Sequence, residues 1–315
     1  MAEKMSCREM FTKTLAELAR QDTRILAITS DARGSCSLTA FAEEFPEQFV
    51  ETGIAEQNEI GIAAGLATVG KRPYVCAPAC FLSARSLEQI KVDVAYSNQN
   101  VKIFGVSGGV SYGALGSSHH SLHDVAVFRA IPDINIFLPC DAFQARAMLF
   151  ALEKTDTPAY IRVGRNPVPF VYEENAPFTI GKGNILREGN DLTLIATGET
   201  VWHTLKAGEM LAEKGIYARV IDIHTLKPFD ETIVIQAAQE TGLILTVEEH
   251  NINGGLGGAV AQCLARHCPV RVSSIAIPDE FAVAGRSEDV FRHYGLDEKG
   301  IFDTATEMLQ EKRGE

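Results

Sequence analysis

The 315-residue sequence predicts an α/β fold of two domains, each a mainly parallel sheet flanked by helices. Three observations carry this reading. Short β-branched runs alternate with helical patterns along the chain, as parallel α/β architecture requires. Several runs are almost continuously apolar, such as Ile134-Asn135-Ile136-Phe137-Leu138, which suits strands buried on both faces. The alternation breaks at Asn166-Pro167-Val168-Pro169, stays irregular through Gly181-Lys182-Gly183 and then restarts, as at a domain linker.

Taken in order, the first domain (1–166) is expected to have strands over 24–29, 48–51, 74–77, 101–106, 135–138 and 159–163. Helical spacing fills 6–20, 56–69, 83–97, 122–130 and 142–154 between them. Residues 167–188 form the expected linker. The second domain (189–315) has expected strands over 192–196, 218–223, 243–247 and 270–275, with helices over 201–214, 231–239, 256–266 and 304–312.

Composition narrows the function. Lys and Arg number 29 against 41 Asp and Glu, a net charge of −12, which argues against nucleic acid as the main partner. The acidity is uneven: residues 1–165 hold 16 basic and 18 acidic groups, the remainder 13 and 23. A nearly neutral first half can still meet a small anion through a few local cations. The N-terminal residues lack a signal-peptide core, and no apolar run is long enough to span a bilayer. Seven cysteines without a CxxC pair suit reduced, buried thiols. A cytoplasmic soluble protein is expected.

The densest chemistry lies in Ser117-Ser118-His119-His120-Ser121-Leu122-His123-Asp124, after the Gly-rich Ser107–Gly113 stretch. A Gly-rich loop after a strand lies at the carboxyl edge of an α/β sheet, where ligands bind. Histidine there suits proton transfer or hydrogen bonding to hydroxyls and phosphates. Metal binding competes, but no cysteine or paired acid completes a ligand set nearby. The bland alternative is an exposed loop with His123 capping or packing at the next helix.

Other candidates also sit at strand ends. Glu56, in Thr52-Gly53-Ile54-Ala55-Glu56-Gln57-Asn58, falls in the first turn of a helix, where the helix dipole alone favours a carboxylate. Thr52 is four residues before it, so a capping box does not explain the acid. Phe81 could stack a heteroaromatic ring or be plain core, and Arg85 one turn on could reach an anion at the same end. Arg162 and Arg165 end a strand and read as an anion clamp or as interdomain salt bridging. Asn253-Gly254-Gly255-Leu256-Gly257-Gly258 lacks G-x-G-x-x-G spacing, since Val260 holds the third glycine's place; close packing of a helix N-terminus on a strand explains it better.

In order, these segments resemble the C-terminal half of transketolases and 1-deoxyxylulose-5-phosphate synthases, which are thiamine-diphosphate enzymes. The resemblance spans nearly the whole chain: Ser30-Asp31-Ala32-Arg33-Gly34-Ser35, then Gly53–Asn58, then Phe81 with Arg85-Ser86-x-Glu88-Gln89-Ile90-x-x-Asp93-Val94-Ala95. His119-His120-x-x-His123-Asp124-x-Ala126-x-x-Arg129-Ala130-Ile131-Pro132 is the most specific part, followed by Arg162 and Lys227-Pro228-Phe229-Asp230. It implies a pyrimidine-binding domain followed by a transketolase C-terminal domain. It also implies that Glu56 hydrogen-bonds the cofactor's aminopyrimidine and promotes deprotonation of the thiazolium carbon, a role that requires Glu56 to be buried and at least partly protonated. Phe81 would stack on the pyrimidine, with Asp31 and Ile54 also at the cofactor. His119 and His120 would bind donor hydroxyls or shuttle protons. Ser35, Arg85, His119, His123, Arg162 and Arg165 would meet the substrate, a ketose that gives up a two-carbon ketol unit.

One departure matters. Full-length members bind Mg²⁺ and the diphosphate through Gly-Asp-Gly in an N-terminal domain, and this chain has no Gly-Asp-Gly. No metal site is expected in the chain itself. A partner N-terminal subunit carrying Mg²⁺ and the diphosphate is expected, in a heterotetramer of two chains each. Two rival readings are the β subunit of a 2-oxo acid dehydrogenase E1 component and a non-catalytic assembly or regulatory subunit.

Overall fold

The computed structural model describes residues 3–314. Its elements run β1 (Lys4–Met5), α1 (Cys7–Ala19), β2 (Ile25–Thr29), α2 (Thr39–Glu44), β3 (Phe49–Glu51), α3 (Glu56–Thr68), β4 (Arg72–Pro78), α4 (Ala79–Arg85), α5 (Leu87–Gln89), β5 (Lys102–Val106), α6 (Asp124–Arg129), β6 (Asn135–Phe137), α7 (Ala142–Leu152), β7 (Ala159–Val163) and β8 (Val168–Pro169). They continue with β9 (Asn184–Arg187), β10 (Leu192–Ala196), α8 (Thr200–Glu213), β11 (Ala218–Asp222), β12 (Thr225–Lys227), α9 (Glu231–Thr241), β13 (Leu243–Asn251), α10 (Leu256–His267), β14 (Arg271–Ile277), α11 (Ser287–His293) and α12 (Glu298–Gly314).

Two sheets organise the molecule. The larger has the order β12-β6-β7-β5-β4-β2-β3, the smaller β14-β13-β10-β11-β9. All pairings are parallel except at one edge of each sheet, where β12 and β9 run antiparallel. Strands β2, β5, β7, β10 and β11 are buried at every position, which explains their mostly apolar composition. A short ladder of β1 with β8 ties the N-terminus to the segment between the sheets.

Three departures from the sequence reading have physical causes. The helix expected over 83–97 is divided into α4, α5 and a π-helical stretch, Ile90–Tyr96. Ser83 and Ser86 hydroxyls donate to the carbonyls of Ala79 and Leu82 at 2.6 and 2.8 Å, and Ser86 leaves helical geometry at φ −107°, ψ 19°. Such back-bonding bends helices. Strand β13 runs past Val247 through Glu248, Glu249 and His250, all 5% exposed or less, because they are buried at the seam between the sheets. Finally, β12 follows the second sheet's β11 in sequence but pairs with β6 of the first, placing Thr225 opposite Phe137.

The glycine-rich stretch before α10 serves the chain's own carboxylate. Leu256 and Gly257 amides donate to Glu248 at 2.6 and 2.8 Å, and a Cβ on Gly255 would lie 1.9 Å from the Glu248 carboxylate. An internal anion thus satisfies the helix N-terminus.

Candidate functional site

The first sheet presents its candidate residues at one edge. Asp31 and Ser35 follow β2, Glu56 follows β3, Phe81 and Arg85 follow β4, the histidine loop follows β5, and Arg165 follows β7. All lie beyond the carboxyl ends of parallel strands, where open α/β sheets bind ligands.

Glu56 is the first residue of α3 and only 3% exposed. Arg85, ending α4, donates from Nη1 to Glu56 Oε1 at 2.7 Å. Its guanidinium carbon lies 4.1 Å from the Phe81 ring centroid. The row continues through His119, edge-on to both Phe81 and Tyr112 with centroids 5.4 Å apart in each pair. Arg165 covers the other part of Tyr112 at 4.8 Å. This edge is open: Ile54 is 75% exposed and the Arg85 side chain 45%.

The three histidines diverge in role. His120 is buried, and its Nε2 lies 3.0 Å from the Gly113 carbonyl, which can only accept. Nε2 therefore carries the hydrogen, leaving Nδ1 a buried acceptor without a protein partner. Burial pushes the His120 pKa down, and neighbouring His119 adds to this. His119 Nδ1 pairs with the Ser118 hydroxyl at 3.0 Å, and His123 Nε2 with Ser83 at 3.1 Å. His120 and His123 line a cleft of about 570 Å³ whose far wall is Asn251, Phe281 and Ala282 of the second sheet's layer.

A cationic corner lies beside this row. Arg8 Nη1 donates to the Ser35 carbonyl at 2.6 Å, and its pKa is lowered first by burial and next by Arg165. Neither Arg8 nor Arg165 has a carboxylate within salt-bridge distance among the described residues. Arg8 and Tyr112 escaped the sequence reading.

Arg162 is placed differently from Arg165. It is 6% exposed, 3.1 Å from Asp124 and bonded to the Glu249 carbonyl at 2.6 Å. Its ion pair with Asp124 stays within the first domain, while its bond to the Glu249 carbonyl reaches β13 of the second sheet, and its guanidinium does not join the open edge. Around it, Tyr160 donates to Asp124 at 2.6 Å, and the Val110 amide donates to Glu249 at 2.6 Å. Burial holds the Glu199 and Glu249 carboxyls above the ordinary range, and Glu249 pushes Glu199 further. Glu249, Glu199 and Ser111 also border an interdomain cavity of about 320 Å³.

Glu59, one turn beyond Glu56, is fully buried. Neither of its oxygens has a well-formed hydrogen bond, although Ser30 and the Cys76 amide lie close enough to offset part of the desolvation. Burial pushes its carboxyl up to about 8, with Glu56 adding to the rise. In the sequence it reads as one of several acids at a helix start.

What the arrangement can do follows from its parts. A buried carboxylate beside a half-buried aromatic ring suits a flat heterocycle that hydrogen-bonds along its edge. Two unpaired arginines near a serine suit an anion a few ångströms away.

Comparison with known proteins gives the same picture. Residues 3–170 match the transketolase pyrimidine-binding domain, and residues 181–301 the transketolase C-terminal domain. Over 98% of its length the chain is 57% identical to one subunit of an apulose-4-phosphate transketolase from Phocaeicola vulgatus, which it matches from end to end. It is 38% identical to the 6-deoxy-6-sulfo-D-fructose transketolase subunit SqwH of a Clostridium species, over 97% of this chain and 95% of that one. A solved split-gene transketolase, an inactive beta4 tetramer, superposes with a TM-score of 0.88 at 35% identity, covering 98% of this chain and 99% of the other. Single-chain relatives such as a Geobacter sulfurreducens 1-deoxy-D-xylulose-5-phosphate synthase match over 48% of their length. These relatives favour transketolase chemistry over the 2-oxo acid dehydrogenase and assembly-subunit readings. The chain belongs to the transketolase family of transferases and corresponds to the C-terminal subunit of its split members.

Proposed function

We infer that this chain forms the cofactor's pyrimidine side of a two-chain transketolase that moves a two-carbon ketol unit from a phosphorylated ketose to an aldose. The observation that carries this is the buried Glu56 carboxylate beside the Phe81 face on an open edge. These residues fit the aminopyrimidine half of thiamine diphosphate. When bound, that cofactor supplies the carbon nucleophile that opens a ketose next to its carbonyl.

The chain's own residues then divide the work. Glu56 hydrogen-bonds the pyrimidine edge, Phe81 stacks on its face, and Asp31 and Ile54 flank it. His119 and His120 face the donor hydroxyls, with His120 Nδ1 as an acceptor and its proton held at Nε2. His123 marks the outer wall of the cleft. Arg165, Arg8, Arg85 and Ser35 receive the distal anion, for which a phosphate of the kind in apulose 4-phosphate is the first candidate. Arg162 braces the domains rather than touching the sugar.

The diphosphate and Mg²⁺ belong to a partner N-terminal subunit carrying Gly-Asp-Gly, since this chain has none. Two copies of each chain give the working assembly. A cytoplasmic setting agrees with seven free cysteines and with helices too short or polar to cross a membrane among the described residues. The test is reconstitution with the partner: Glu56→Gln should reduce turnover at least about a hundredfold while the complex still assembles. Turnover within twofold of the unsubstituted complex would sink the assignment.

A further inference from the structure

We propose that Arg85 is a placeholder for the cofactor's aminopyrimidine: it fills that position until the cofactor arrives and is then released toward the substrate's anion. This rests on the function inferred above and adds an order of events to it. An aminopyrimidine asks two things of this chain, a hydrogen-bond partner at Glu56 and a flat face at Phe81. Arg85 holds both at once, with Nη1 2.7 Å from Glu56 Oε1 and its guanidinium carbon 4.1 Å from the Phe81 centroid. A guanidinium is the protein group that best imitates such a ring, being planar, stackable on an aromatic face and edged with N–H donors. The guanidinium on the Phe81 ring and the pyrimidine therefore compete for the same place.

The two ends of the contact differ in freedom. Glu56 is fixed at the start of α3 and is 3% exposed. Arg85 ends α4 just before the backbone break at Ser86, and its side chain is 45% exposed. Displacement therefore moves Arg85 and leaves Glu56 in place. Until then Arg85 compensates a buried carboxylate that would otherwise be left alone. Once moved, its charge is free of Glu56 and available to the substrate's anion. Cofactor and anionic substrate thus bind in order through one side chain.

The experiment uses the reconstituted two-chain complex and calorimetric titration with thiamine diphosphate and Mg²⁺, comparing wild type with Arg85→Ala and Arg85→Gln. Both variants should bind the cofactor about three- to tenfold more tightly, since a charge-assisted contact no longer has to be broken. Both should also raise KM for a ketose phosphate about tenfold. Glutamine guards against collapse of the site, because it keeps a planar donor within reach of Glu56. Unchanged or weaker cofactor binding in both variants overturns the placeholder role. A wild-type complex that takes up no thiamine diphosphate instead overturns the functional assignment beneath it.

Discussion

Replacing Glu59 with glutamine should make the chain more stable, increasingly so as pH rises. The side chain is fully buried without a well-formed hydrogen bond, and its pKa is pushed from an ordinary 4.5 to about 8. A carboxyl whose folded pKa is raised binds its proton more tightly in the native state. Its contribution is complete below 4.5 and is lost as pH climbs through 8. Each pKa unit corresponds to about 1.4 kcal/mol, so the wild type should lose on the order of 3 kcal/mol relative to Glu59→Gln between pH 5.5 and 8. Glutamine is nearly isosteric with the protonated acid, so packing stays constant between the two proteins. Urea denaturation of both, at half-unit steps across that range, measures the difference. Other buried carboxyls, such as Glu199 and Glu249, titrate in both proteins and cancel in the subtraction. Parallel stability curves, offset by a constant amount, would refute the reasoning.

Two further predictions concern the seam between the sheets. Arg162→Met leaves Asp124 buried without its cation and the Glu249 carbonyl without its donor, so it should cost about 3–5 kcal/mol by urea denaturation, against little for an exposed arginine such as Arg286. Glu248→Gln removes the charge from two amide contacts at the start of α10, and a loss of about 1–2 kcal/mol is expected in the same assay.

The parts of the molecule legible in sequence were those with local causes. The β7 and β10 runs, Ala159–Val163 and Leu192–Ala196, are mostly apolar because both faces are covered, and their bounds agree with the expectation. The strand-end positions of Glu56, Phe81 and the histidine loop follow from the alternation of elements, and so were visible as well. What stayed hidden depends on partners far away in the chain. Glu249 and His250 read as the polar end of a strand until Arg162 and Asp124 are brought against them from more than eighty residues back. Arg8 gains meaning only when the Ser35 carbonyl and Arg165 arrive beside it. Glu59 differs from its exposed neighbours Gln57 and Asn58 only by which side of α3 meets the sheet. Periodicity near a helix start, across four polar residues, does not distinguish these sides.

The β12 strand has a consequence for how the chain can be made and divided. Lacking Thr225–Lys227, the first sheet would end at β6 with its backbone amides and carbonyls unpaired on that side. An open edge of this kind invites pairing with other chains. During synthesis the gap persists from β6 until residue 227 has emerged, with the whole of the second sheet's β10 and β11 made in between. The nascent chain thus carries a temporary adhesive margin that only its own later segment closes. A fragment cut in the 167–188 stretch would keep that margin for good, so the two layers are separable by eye but not by a protease or a cloning primer.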